Sequence, residues 1–160
     1  MTQKRPAVLF VCLGNICRSP SAEAVLRAKA AQRDLDIFID SAGTLGHHTG
    51  APPDSRSRAV GEARGYSFAG LKCRKVSQQD FIDFDYILAM DKDNLRNLLE
   101  MSPSEYHHKI ALFLSYANID ETEIPDPYYG GLRGFEYVLD QIEAAANGLL
   151  RDITLHHSVV

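Results

Sequence analysis

The stretch Val8-Leu9-Phe10-Val11-Cys12-Leu13-Gly14-Asn15-Ile16-Cys17-Arg18-Ser19-Pro20 constrains this chain more than any other. An apolar, partly β-branched run that ends in Val11 and meets turn residues has the length and composition of a buried parallel strand. Cys12 then falls at the strand's carboxyl end. A helix opens near Ser19 and Pro20, because the missing N–H of a proline is no loss in a first turn. Strand, tight loop and helix N-terminus together make a phosphate cradle. Gly14 is free to take positive φ and Asn15 tolerates it, so the backbone from Leu13 through Ile16 and Cys17 can turn its N–H groups inward, toward the positive end of the helix.

The side chains in this stretch suit a nucleophile at an anion site. A free thiol with a pKa near ~8.5 is only about 3% thiolate at pH 7, so a nucleophilic cysteine needs surroundings that favour the anion. Inward N–H groups, a helix end and Arg18 supply them. The hydroxyl of Ser19 can donate a hydrogen bond to the sulfur and later help it leave. Arg18 carries a planar fork that holds two phosphate oxygens at once, which a lysine does not reproduce. The set fits a tetrahedral dianion.

The rest of the chain fits an α/β fold. After the first helix, Ile37–Ser41 reads as a second strand, and the glycine, histidine and proline run to Pro53 as a loop at its carboxyl end. Asp54 or Ser55 caps a helix that Gly65 stops near Arg64. Ser77–Asp80 opens a short helix, Asp85–Met90 is a third strand, and Asp91 caps a helix that Ser102-Pro103 ends. Ile110–Leu114 is the fourth strand. A polar loop then runs to Pro127, before a last helix from about Gly134 to Leu150 with Val138, Leu139, Ile142, Ala145, Ala146 and Leu149 on one side. Four strands separated by helices predict a four-stranded parallel sheet with helices on both faces, doubly wound and flavodoxin-like, with the phosphate loop after the first strand. Ligands of such sheets bind beyond the strands' carboxyl ends. Cys12, the 42–53 loop and Asp91 therefore share one rim, and the loop carrying Asp126 must reach it.

Composition sets the class. At 160 residues, 45% hydrophobic and 24% charged, the chain has the size and balance of one domain, expected over 1–160. A net charge of −4 gives no general electrostatic reason to bind nucleic acid. The opening apolar run is too short for a signal segment or a membrane span, so a cytoplasmic protein without a membrane role is expected. Three cysteines, two of them in one loop, make no secreted disulfide framework. The pairs His47-His48, His107-His108 and His156-His157 have no second ligand set at metal-binding spacing, so no metal and no cofactor is expected. Cys73 reads as a small buried hydrophobe.

The stretch from Cys12 to Pro20, followed by Ser21-Ala22-Glu23-Ala24, resembles the signature loop of the low-molecular-weight protein tyrosine phosphatases. Asp126-Pro127-Tyr128-Tyr129 resembles their acid loop, and Asp40–Thr44, Pro52–Asp54 and Phe84–Asp91 resemble further family segments in the expected order. The resemblance implies hydrolysis of phosphotyrosine through a phosphocysteine on Cys12, with Arg18 holding the phosphate and Asp126 as general acid and base. It implies that Leu13, Gly14, Asn15, Ile16, Cys17, Ser19, His47, Tyr128 and Tyr129 form the substrate site, that Ser41 and Asp91 support it, and that Cys17 forms a reversible disulfide with Cys12. It further implies a tyrosine-phosphorylated protein as partner, a bacterial tyrosine kinase among the candidates, and a monomer or weak dimer.

Two departures bear on substrate preference. Many relatives carry tryptophan where this chain has His47 and histidine where it has Leu71. Members that act on phosphoarginine carry threonine at the position of Ile16, so Ile16 beside Tyr128 and Tyr129 favours phosphotyrosine. Two other readings compete. Arsenate reductases share the Cys-x5-Arg loop but relay oxidation through downstream cysteines, and only Cys73 lies downstream here. A phosphopeptide-binding module without turnover would keep the loop, yet would have no use for Cys12, Arg18 and Asp126 together.

Overall fold

A computed structural model describes residues 5–46, 48–127 and 131–157. Four strands, β1 (Ala7–Cys12), β2 (Phe38–Gly43), β3 (Tyr86–Ala89) and β4 (Ile110–Leu112), pair in parallel in the order β2-β1-β3-β4. Five α-helices accompany them: α1 (Arg18–Gln32), α2 (Ser55–Ala63), α3 (Gln78–Asp83), α4 (Lys92–Met101) and α5 (Gly131–His156). This is the doubly wound architecture that the sequence predicts. With the first strand next to both the second and the third, the order of winding reverses at β1, and a crevice opens beyond its carboxyl end.

The period of two along β1 divides the core. Val8, Phe10 and Cys12 belong to the cluster on the face that α1 and α5 cover. Ala7, Leu9 and Val11 belong to the cluster that contains Phe81, Leu98 and Ile110, on the face of α3 and α4. All six are buried, so both faces of the strand contribute, at roughly 1.5–3 kcal/mol for each large side chain. Phe10 meets Phe113 edge-on at 4.8 Å between ring centroids.

Helix ends follow the sequence signals. The Asp54 carboxylate accepts the Arg56 N–H at 2.8 Å and caps α2, and Gly65, at φ +92°, turns the chain out of it. Ser77 and Asp80 form a capping box on α3. Several details differ from expectation, among them β2, which runs on to Gly43. The fourth strand stops at Leu112, because Phe113–Tyr116 coils into a 3₁₀ turn that sends the consecutive side chains Phe113 and Leu114 into the same core cluster, where an alternating strand would send them to opposite faces. The last helix extends from Gly131 to His156, since no glycine or proline follows Leu150 and Ile153 continues the buried stripe. A 3₁₀ turn over Ser104–Lys109, which the sequence does not signal, leads into β4. Along α1, residues 18–26 are buried all round, while Ala31 is exposed. Its first turns run through the core and only its end meets solvent.

No described helix is long and apolar enough to cross a membrane.

Candidate active site

The loop from Cys12 to Arg18 closes over the carboxyl end of β1 and is held from several sides. Asn15 adopts the left-handed conformation at φ 58°, so the turn falls on Asn15 and not on Gly14, for which positive φ was also open. Gly14 matters for space: a Cβ there would sit 3.2 Å from His48 Cδ2. Gly43, at the end of β2, matters more. A Cβ on it would come within 2.9 Å of Leu13 O and 3.0 Å of Asn15 N, both backbone atoms. Thr44 N–H and Leu45 N–H donate to Cys12 O and Leu13 O at 3.0 and 2.9 Å, which ties the loop to the chain leaving β2.

A short network aims hydrogens at the sulfur. Arg74 N–H donates to Asn15 Oδ1 at 2.9 Å, which turns the amide so that Asn15 Nδ2 donates to Ser19 Oγ at 2.8 Å. Ser19 Oγ lies 2.9 Å from Cys12 Sγ and 3.5 Å from Ala42 O, so toward a thiolate its one hydroxyl hydrogen goes to the sulfur. Asn15 N–H also reaches Sγ, at 3.2 Å. Sulfur thus receives two donors, an arrangement suited to a nucleophile that must later depart.

Arg18 opens α1 and is only 3% exposed. Its Nη1 donates to Asp91 Oδ2 at 2.7 Å and to Ile124 O at 2.9 Å, and its Nη2 lies 3.9 Å from Asp126 Oδ2. Burial opposes the charge, but Cys12 together with Asp91 and Asp126 outweighs it and raises the guanidinium's pKa. Asp91 does two things at once: Oδ1 accepts Asn94 N–H at 2.7 Å and caps α4, while Oδ2 fixes Arg18. The acid loop arrives through Ile124, fully buried, whose N–H donates to Met90 O at 2.8 Å beyond the end of β3. Asp126 follows two residues later. Cys12, Leu13, Gly14, Ile16, Cys17, Arg18, His48 and Asp126 line one cleft of about 260 Å³.

The other expected site residues fall as follows. Cys17 is buried at the start of α1, and burial pushes its thiol up to about 12. Ser41 does not reach the loop through any hydrogen bond of its hydroxyl. It donates to Glu23 Oε1 at 2.6 Å, and Glu23 also pairs with Arg27, so Ser41 fastens β2 to α1 behind the site. Burial raises the pKa of the Glu23 carboxyl. His47, Tyr128 and Tyr129 lie outside the described residues. His48 and Gly43 were missed as site residues: His48 entered only as half of a histidine pair, and Gly43 only within a matching segment. Arg74 gave no signal beyond its charge.

A nucleophile loop at a strand end, a buried guanidinium in its mouth and a carboxyl across the cleft define the class of cysteine-based phosphatases on a parallel α/β sheet. The chain belongs to the low molecular weight phosphotyrosine protein phosphatase family, whose model matches residues 7–159. It is 45% identical over 150 residues to the low molecular weight protein-tyrosine-phosphatase YfkJ of Bacillus subtilis, covering 92% of this chain and 95% of that one. A crystal structure of a protein tyrosine phosphatase from Entamoeba histolytica with Hepes in the active site superposes with a TM-score of 0.90 at 45% identity, covering 94% of this chain and 97% of that one. A Drosophila arginine phosphatase superposes at 0.85 with 38% identity, covering 91% and 96%.

Proposed function

We propose that this protein hydrolyses phosphotyrosine, and aryl phosphate monoesters generally, in two steps through a phosphocysteine on Cys12. The observation that carries the reading is the convergence of Cys12, Arg18 and Asp126 on one cleft. In the first step the Cys12 thiolate attacks phosphorus. The bond from phosphorus to the aryl oxygen breaks, and protonated Asp126 gives its proton to that oxygen. In the second, Asp126 takes a proton from water as the water oxygen bonds to phosphorus. The sulfur leaves as thiolate, stabilised by the Ser19 hydroxyl. Arg18 and the loop N–H groups neutralise the equatorial oxygens in both steps, so positioning and electrostatics supply most of the acceleration.

Ile16 on the cleft wall supports phosphotyrosine over phosphoarginine, since a branched apolar side chain offers nothing to a second guanidinium. The substrate is accordingly a tyrosine-phosphorylated protein, with a bacterial tyrosine kinase as the candidate that the family suggests. Cys17, with its thiol held protonated, does not compete as nucleophile. It serves after oxidation: peroxide converts Cys12 to a sulfenic acid, and condensation with the Cys17 thiol forms the disulfide and releases water.

The test is turnover of para-nitrophenyl phosphate, a phosphotyrosyl peptide and phosphoarginine by the wild type in a chelating buffer, with vanadate as competitor. The reading expects hydrolysis of the first two, competitive inhibition by vanadate and little action on phosphoarginine. A fully reduced protein that binds vanadate and turns over no aryl phosphate would overturn it, and preference for phosphoarginine would overturn the role of Ile16.

A further inference from the structure

We propose that Cys73, together with the backbone of Arg74, is a positioning element of the nucleophile loop, and that its thiol sets the direction of the Ile16 N–H. The inference rests on the phosphatase reading for its kinetic consequence, though not for its anion-binding one.

Cys73 Sγ donates to Asn15 O at 2.8 Å, and Cys73 is 3% exposed. That carbonyl belongs to the peptide joining Asn15 to Ile16. In a trans peptide C=O and N–H point opposite ways. Holding the carbonyl outward on Cys73 therefore turns the Ile16 N–H the other way, away from the strap. Asn15 is the loop residue with the least conformational support of its own, since an L-residue at φ 58° is held there by its contacts. Beside its bonds to Cys12 and Ser19, both members of the strap hold it, Cys73 Sγ on the carbonyl and Arg74 N–H on Oδ1 at 2.9 Å.

The strap is itself anchored. Cys73 N–H donates to Ala51 O and Cys73 O accepts Gly50 N–H, both at 2.8 Å, while Gly43 N–H donates to Arg74 O at 2.8 Å. The Arg74 guanidinium bridges Asp40 on β2 and Asp80 on α3 at 3.0 and 2.9 Å. Burial holds the Cys73 thiol up at about 11, so it keeps the hydrogen it donates through the neutral range. A small apolar residue would fill the same space and leave Asn15 O without this donor.

Two pairs of variants test the idea. Cys73→Thr and Cys73→Val have the same shape and differ in the donor, as do Cys73→Ser and Cys73→Ala at smaller volume. Orthophosphate and vanadate affinity is read by calorimetry, turnover of para-nitrophenyl phosphate by kcat and KM, and folding by thermal melting. The expected result is that Val and Ala weaken anion binding and lower kcat by about tenfold, the scale of one lost hydrogen bond, while Thr and Ser stay within about threefold of wild type. Donor and non-donor variants that match each other in anion affinity, with only the melting temperature moving, would overturn the proposal. Should the wild type bind orthophosphate but not turn over, the phosphatase reading fails while the anion-affinity comparison still decides the role of Cys73.

Discussion

The two loops to which the proposed mechanism assigns chemistry are held in different ways. The nucleophile loop is bonded along its length: to the chain leaving β2 through Thr44 and Leu45, to the 73–74 strap through Asn15, and to the cap of α2 through Asp54 N–H donating to Ile16 O at 2.7 Å. It also packs on Gly43 with no room for a methyl group. The acid loop is held at Ile124 by Met90 and Arg18 and at Asp126 by Arg18, and its edge is tethered where Lys92 N–H donates to Glu123 at 2.9 Å and the Tyr137 hydroxyl to exposed Glu121 at 3.0 Å. An anion cradle must be finished before substrate arrives, since its N–H groups stabilise charge without reorganising. A proton donor has to meet leaving groups of different shapes, and the described part of the acid loop is held mainly through side chains.

Substitutions that separate the two loops should fall in a clear order. Cys12→Ser removes the nucleophile, and kcat for para-nitrophenyl phosphate should drop roughly 10,000-fold or more while orthophosphate still binds. Arg18→Lys loses the fork and leaves Asp91 and Ile124 O short of a donor, which should cost about 100- to 1,000-fold in kcat/KM and weaken vanadate. Asp126→Asn should lower kcat on the order of 100-fold for poor leaving groups and much less for nitrophenol, which leaves without a proton. That dependence on the leaving group distinguishes the acid loop from the cradle, for which every substrate should suffer alike.

Weaker changes test the difference in rigidity. Gly43→Ala drives a methyl into the loop backbone and should destabilise the fold by about 1–3 kcal/mol in chemical denaturation and reduce anion affinity with it. Tyr137→Phe removes an exposed tether and should change kcat by less than about twofold, within the scale of surface substitutions. A large effect of Tyr137→Phe would mean that the acid loop is held as firmly as the cradle. Thiol labelling gives a complementary readout. Cys17 keeps its proton to about 12 in the fold but releases it near ~8.5 once unfolded, so native protein at pH 8 should leave Cys17 unalkylated while unfolded protein labels it. The same difference means that stability falls as pH rises from about 8.5 toward about 12, because the unfolded chain sheds a proton that the native one retains.

Most of this could be read along the chain because it is local. Val8 to Val11 alternate between two cores and announce a doubly covered strand. Asp54, Ser77 and Asp91 announce their helices because a cap acts within three residues. Cys12, Arg18 and Ser19 lie within one loop and one helical turn, so spacing alone brings them together. What could not be read depends on partners far away in sequence. Ser41 is expected to support the site, but the sequence does not show how: its hydroxyl turns to Glu23, because strand alternation and the neighbouring helix decide which way it points. Phe113 and Leu114 look like strand residues until the core takes both. Cys73 looked like filler, since nothing beside it in sequence shows that Asn15 O lies 2.8 Å away.

The sequence by itself determined the strand, loop and helix that carry Cys12, Arg18 and Ser19, and the parallel α/β class, since these rest on short-range geometry and on the periodicity of apolar residues. Tertiary structure alone decided how Arg18 is oriented, by bringing Asp91, Ile124 O and Asp126 to one guanidinium from segments 73 and 106 to 108 residues away in the chain. It also decided which residues hold Asn15 in the left-handed turn. Both depend on packing, which joins groups by their position in the sheet and not by their order in the chain.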